Sequence, residues 1–207
     1  MRNILTLAIL ATSGIASASV MSDFETDADG WLGVNVSFPS LDPLNTVAPT
    51  WTGHTITVTE QGSGLFVLAA PSKFLGDQSI NLGGIVSFQL SDTVADGVPY
   101  PSLLLRGNGT ILYYETLAPG TTLTDFVVSL TPTGWKNGTG VQASQAEFDS
   151  VFSNLDVFAI NADWKTGGTD LVELDNVMML APVPEPTTLF VLGLGAAWIA
   201  KRRHKKD

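Results

Sequence analysis

Cysteine is absent from all 207 residues, which excludes disulfides and thiolate metal sites and leaves core packing, or a bound ion, to hold the folded part together. Histidine is nearly as scarce, with two in the chain, His54 and His204. A single histidine in the central region cannot build a His-rich zinc site. A Ser-His-Asp triad could form only around His54, and no Gly-x-Ser-x-Gly elbow accompanies it. Positive charge is thin as well. Between residues 19 and 182, four bases face eighteen acids, a net charge of −14. Phosphate binding needs a basic surface, so nucleic acid is not an expected partner and cations are a better one. No internal apolar run is long enough to span a bilayer; the positive mean hydropathy of +0.24 is raised by segments at the two ends. No repeat of 20 to 50 residues is visible, which argues against a solenoid or propeller.

What is present is clearest at the ends. Arg2 precedes an apolar run from Ile4 to Ala11, and the segment closes on Ala16-Ser17-Ala18. Charge, apolar stretch and small residues in that order make residues 1–18 a signal peptide, with signal peptidase expected to cut after Ala18. At the other end Val183-Pro184-Glu185-Pro186 leads into an uncharged run from Thr187 to Ala200, closed by Lys201, Arg202, Arg203, His204, Lys205 and Lys206. As a helix this run would reach roughly 21 Å, against a hydrocarbon core near 30 Å, so it makes a short anchor. The basic finish is expected to stay cytoplasmic, leaving the preceding residues outside, in agreement with the signal peptide. These residues, Pro184, Glu185 and Pro186 with the apolar stretch and the basic tail, resemble the PEP-CTERM sorting signal. The resemblance implies an exosortase-type sorting protease as partner for residues 183–207, with membrane attachment through a C-terminal helix before processing. A plain transmembrane anchor is the alternative, and both place the intervening domain outside.

Residues 19–182 are enough for one well-built domain. Strand-like stretches recur at 54–60, 64–70, 85–90, 102–106, 110–115, 125–130, 156–163 and 171–180, separated by glycine, proline, asparagine and aspartate. Thr55-Ile56-Thr57-Val58-Thr59 alternates with period two, the pattern of a half-buried strand. Gly107-Asn108-Gly109 reads as a hairpin turn. One helix is expected: Ser144 and Glu147 have capping-box spacing, and Phe148, Val151, Phe152 and Leu155 follow as one stripe. The pattern is that of an all-β sandwich with one short helix, flanked by a signal helix and a C-terminal apolar helix.

Three sets of landmarks, Phe24 to Trp31, Ala70 to Asp77 followed by Gly83-Gly84 and Ser87-Phe88-Gln89-Leu90, and Leu174-Asp175-Asn176-Val177, resemble the laminin B (domain IV) family. The resemblance implies a jelly-roll β-sandwich related in shape to galactose-binding-like and carbohydrate-binding modules. It also implies a structural Ca²⁺ between the first and last strands, carried over to Glu25 and Asp175, with Asp23 as a third ligand. Calcium takes six to eight hard oxygens, which acids here could supply in part. The tryptophans are expected mainly in the core, with Trp135, between Gly134 and Lys136-Asn137-Gly138, the one to expose its ring for ligand stacking. The function expected is therefore an exported, exosortase-sorted surface or matrix protein. Its module would be a non-catalytic adhesion or carbohydrate-binding one meeting extracellular polysaccharide. A secreted polysaccharide hydrolase working through paired carboxylates is the alternative.

Overall fold

The computed structural model describes residues 19–62, 64–94, 96–167 and 169–183. The expected signal peptide, residues 1–18, the Pro184-Glu185-Pro186 motif, the apolar run and the basic residues Lys201, Arg202, Arg203, Lys205 and Lys206 lie outside the described residues. Among the described residues no helix is long and apolar enough to cross a membrane.

Among the described residues thirteen strands form two antiparallel sheets, accompanied by one α-helix. The first sheet runs β10 (Thr124–Ser129), β7 (Ile85–Asp92), β13 (Leu171–Leu180), β5 (Ile56–Thr59), β4 (Thr50–Trp51). β1 (Ser19–Ser22) pairs with the far half of β13, Ser19 opposite Leu180 and Ser22 opposite Val177. The second sheet runs β11 (Trp135–Asn137), β9 (Thr110–Leu117), β8 (Pro99–Gly107), β12 (Leu155–Asn161), β6 (Leu65–Ala69), β2 (Leu32–Ser37), β3 (Asp42–Val47). The chain crosses between sheets again and again, and the expected jelly-roll sandwich is the observed fold.

Alternation along each strand makes the core. On β13, Val172, Leu174, Val177 and Met179 are fully buried, and the change of step after Leu174 comes with a bulge in the pairing with β7 between Asp175 and Met178. They face Leu103, Leu105, Phe158 and Ile160 of the second sheet within one cluster. Trp31, Phe74 and Phe158 meet with ring centroids 5.3 to 6.2 Å apart, closing the end of the sandwich beside β1. β8 is buried on both faces, because a smaller cluster of Val34, Val36, Leu41, Leu104 and Tyr113 covers the outer side of the second sheet.

The expected helix is α1 (Gln145–Ser153). Its capping box is complete, with Glu147 N–H donating to Ser144 Oγ and the Ser144 amide donating to Glu147 at 2.8 Å. Phe148, Val151 and Phe152 are buried, whereas Leu155 already belongs to β12. The helix backbone lies so close to β8 that a Cβ on Gly107 would stand 2.3 Å from the Val151 carbonyl oxygen. Asn108 and Gly109 both have positive φ, as a two-residue turn of the mirror-image type requires.

Five strands were not anticipated: β1, β2, β3, β4 and β11. β3 and β4 are exposed edge segments without apolar alternation, and β11 is three residues long. Such strands are set by pairing to a neighbour and leave little pattern of their own.

Candidate functional site

The acids near the first and last strands gather along β13, inside the first sheet, where β5 and β1 pair with its successive halves. Phe24 is buried and adopts positive φ, which turns the chain so that Asp23 and Glu25 stay outside. Glu25 faces His54 across 2.9 Å, both well exposed. Asp175 sits at the β13 bulge, where its carboxylate accepts the Asn176 amide at 2.7 Å. Burial pushes the Asp175 carboxyl above its ordinary value, and the charges of Glu25, Glu173 and Asp23 add to that. Fold and sequence thus bring the three expected ligands into one electrostatic neighbourhood. They are not, however, the acids whose oxygens converge.

Among the described residues that set is Glu60, Asp163 and Asp170, with ligand oxygens all within 4.8 Å of one another. Each sits where a strand ends. Glu60 follows β5, Asp163 follows β12 and Asp170 precedes β13. The Glu60 amide donates to the Asp170 carbonyl at 2.9 Å, tying the loops together. Asp170 has no exposed surface; the Trp164 amide donates to its Oδ2, and its Oδ1 has no partner. Glu60 Oε2 is unpartnered too, as is Oδ2 of Asp92, which is 1 % exposed. Burial pushes all four carboxyls up, and repulsion within the group adds to it, since Asp170 raises Asp92 and Asp163 while Asp163, Asp170 and Asp92 raise Glu60.

This group lies beneath an open cleft of about 710 Å³ at the loop end of the sandwich. Glu60 and Asp163 form part of its lining, with Phe38, Leu44, Tyr100 and Lys165 around them. Phe38 is 44 % and Leu44 61 % exposed. Tyr100 is fixed by its hydroxyl, which donates to Asp96 at 2.6 Å, and by an edge-on contact with Trp164 at 5.9 Å. The volume falls in the range of small-ligand sites, about 300 to 1,000 Å³.

The sequence matches the model of the family Laminin B (Domain IV) over residues 67–192. The chain belongs to this family. A second model, the PEP-CTERM protein-sorting motif, matches residues 182–204 and overlaps the end of the first match over residues 182–192. Among solved structures the chain is similar to the L4b domain of human laminin alpha-2. That match has 14 % identity and a TM-score of 0.65, covering 79 % of this chain and 97 % of that domain. It is also similar to a family 11 carbohydrate-binding module of a Clostridium thermocellum cellulosomal cellulase, at 13 % identity and TM-score 0.45, covering 82 % and 90 % of the two chains. No curated protein matches.

One site expectation is corrected within this laminin B domain. Trp135 has no exposed surface: its indole N–H donates to the Ser129 carbonyl at 2.8 Å and its ring lies edge-on to Phe148 and Tyr114. The polar neighbours misled, because in β11 Lys136 points away from the core and bonds Glu115 at 2.7 Å, which turns Trp135 inward. Among the described residues the tryptophan with an open face is Trp51, 42 % exposed on edge strand β4. The converging acids were not picked out from sequence, since two loops far apart in the chain carry them, Glu60 after β5 and Asp163 and Asp170 between β12 and β13. Their signal was an acid within two residues of a strand terminus in each case.

Proposed function

We propose that this laminin B protein is exported, handled by an exosortase through its C-terminal motif, and displayed at the cell surface or in the extracellular matrix. There its sandwich serves as a non-catalytic adhesion or carbohydrate-binding module. The observation that carries this reading is that the sorting match begins where the strands of the laminin B domain end. β13 ends at Leu180 and the sorting match begins at residue 182, so the tail leaves the folded domain with almost no linker. β1, starting at Ser19 just past the expected signal-peptidase cut, pairs with that same end of β13. Both processing signals therefore attach at one edge of the sandwich, and the rest of the domain is free to face outward.

For the ligand, extracellular polysaccharide in the loop cleft is the reading supported by Tyr100 and Phe38, aromatic surfaces that suit sugar rings, beside polar groups that can orient hydroxyls. Binding of the purified chain to extracellular polysaccharides, measured with wild type, Tyr100→Ala and Phe38→Ala, tests it. Retention unaltered by both substitutions counts against the cleft. Intact-mass analysis of surface-recovered protein tests the sorting half: a chain still ending at Asp207 counts against cleavage.

The hydrolase alternative has one observation in its favour, the Glu60 and Asp163 oxygens within 4.8 Å of each other in the cleft lining. Such a pair needs one carboxylate ionised as nucleophile or base while the other stays protonated. Here burial pushes both carboxyls up, which favours the binding reading. Release of reducing ends, abolished in Glu60→Gln, would reverse that preference.

A further inference from the structure

We propose that Glu60, Asp163 and Asp170 form a calcium site at the floor of the loop cleft, separate from the acids of the first and last strands. The unpartnered oxygen of Asp170 carries the argument. Asp170 has no exposed surface, one of its oxygens is taken by the Trp164 amide, and the other is left without a hydrogen bond beside two further carboxylates. Asp92 repeats the pattern nearby, 1 % exposed with its Oδ2 unpartnered. Buried polar atoms are nearly always satisfied, and a group of buried like charges is stable only when a cation or protons neutralise it.

Among the described residues the base whose charge reaches Asp92 and Asp170 is Lys165. It takes part in none of the ion pairs among the described residues. The charge is thus left mostly unbalanced.

The ligand chemistry selects the ion. The donors are carboxylate oxygens with no sulfur or imidazole, which suits a hard cation. Oxygens that all lie within 4.8 Å of one another can surround one ion at about 2.3 to 2.6 Å from each, the calcium range, and calcium's flexible shell of six to eight oxygens accepts a site that protein groups fill only in part, whereas magnesium demands near-ideal octahedral geometry. Three carboxylates leave coordination positions over. Because Glu60 and Asp163 line the cleft, water can fill those positions from its open side. The ion would join the ends of β5 and β12 to the start of β13, and so fix the loop that carries Lys165 and Thr166 into the cleft wall.

The test uses the full-length chain in detergent, with calcium and terbium as probes. Terbium emission excited through tryptophan reports an ion near Trp164, and thermal melts in calcium and in EGTA report its coupling to the fold. Wild type should bind one terbium ion, lose the emission on calcium addition, and melt several degrees higher in calcium than in EGTA. Glu60→Gln and Asp170→Asn should each weaken calcium binding at least tenfold, and Glu25→Gln and Asp175→Asn should leave it within twofold. Glu60 is only half-buried, so its variant keeps the test open if Asp170→Asn fails to fold. Absence of both emission and melting shift in wild type overturns the proposal, as does loss confined to the Glu25 and Asp175 variants. No readout involves polysaccharide, so failure here and failure of the cleft as a glycan site are distinguishable.

Discussion

The anchoring of the first strand offers a sharp quantitative test. Ser22 is 1 % exposed and its hydroxyl sits between two partners, accepting the Trp31 indole N–H at 2.8 Å and donating to Asp29 Oδ2 at 2.6 Å. Lys73 bonds the same Asp29 oxygen and the Met21 carbonyl, so the relay fastens β1 to the loop after β6. Ser22→Ala removes the acceptor of a buried indole N–H while changing the shape of the strand very little. An unsatisfied buried donor costs about 1 to 3 kcal/mol. For a domain of this size each kcal/mol is worth about 2 to 4 °C, so the melting temperature should fall by about 2 to 12 °C. Trp31→Phe removes the donor, and in that background Ser22→Ala should cost at least about 1 kcal/mol less. Thermal and urea unfolding followed by circular dichroism give all four corners of the cycle. Additivity to within about 0.5 kcal/mol would refute the relay.

Trp135→Ala should cost about 3 to 5 kcal/mol, the figure for a buried aromatic, and Trp135→Phe much less, both read by denaturant midpoint; a polysaccharide-binding defect in a stably folded Trp135→Phe would revive a surface role. Ser144→Ala should cost about 0.5 to 2 kcal/mol through loss of the capping box. The Glu147 carboxyl is held below its ordinary 4.5 by the Ser144 amide, Asn137 and the Ser144 hydroxyl, so its stabilisation is full above that value and lost as pH falls through the lower folded one. The melting difference between wild type and Glu147→Gln should accordingly be constant near neutrality and shrink on acidification. Gly84→Ala should prevent soluble export, because its Cβ would stand 1.9 Å from the Leu180 carbonyl oxygen, a backbone atom that cannot move aside.

Read alone, the chain showed its C-terminal sorting motif and most of its architecture. A sorting signal is linear, recognised by order and composition, so the motif around Pro184-Glu185-Pro186 is legible without a fold. The alternating strands β5 to β10, β12 and β13 and the capped helix were legible for a related reason: a periodic apolar face is a local property of the sequence. Tertiary structure decided the rest. β1 to β4 and β11 exist because neighbouring strands accept their hydrogen bonds, and Trp135 is inside because of the direction β11 happens to face. Above all, Glu60, Asp163 and Asp170 come together only when three strand ends meet at one end of the sandwich. Burial and mutual repulsion, which give those acids their chemistry, arise from that meeting and from no property of the residues taken one at a time.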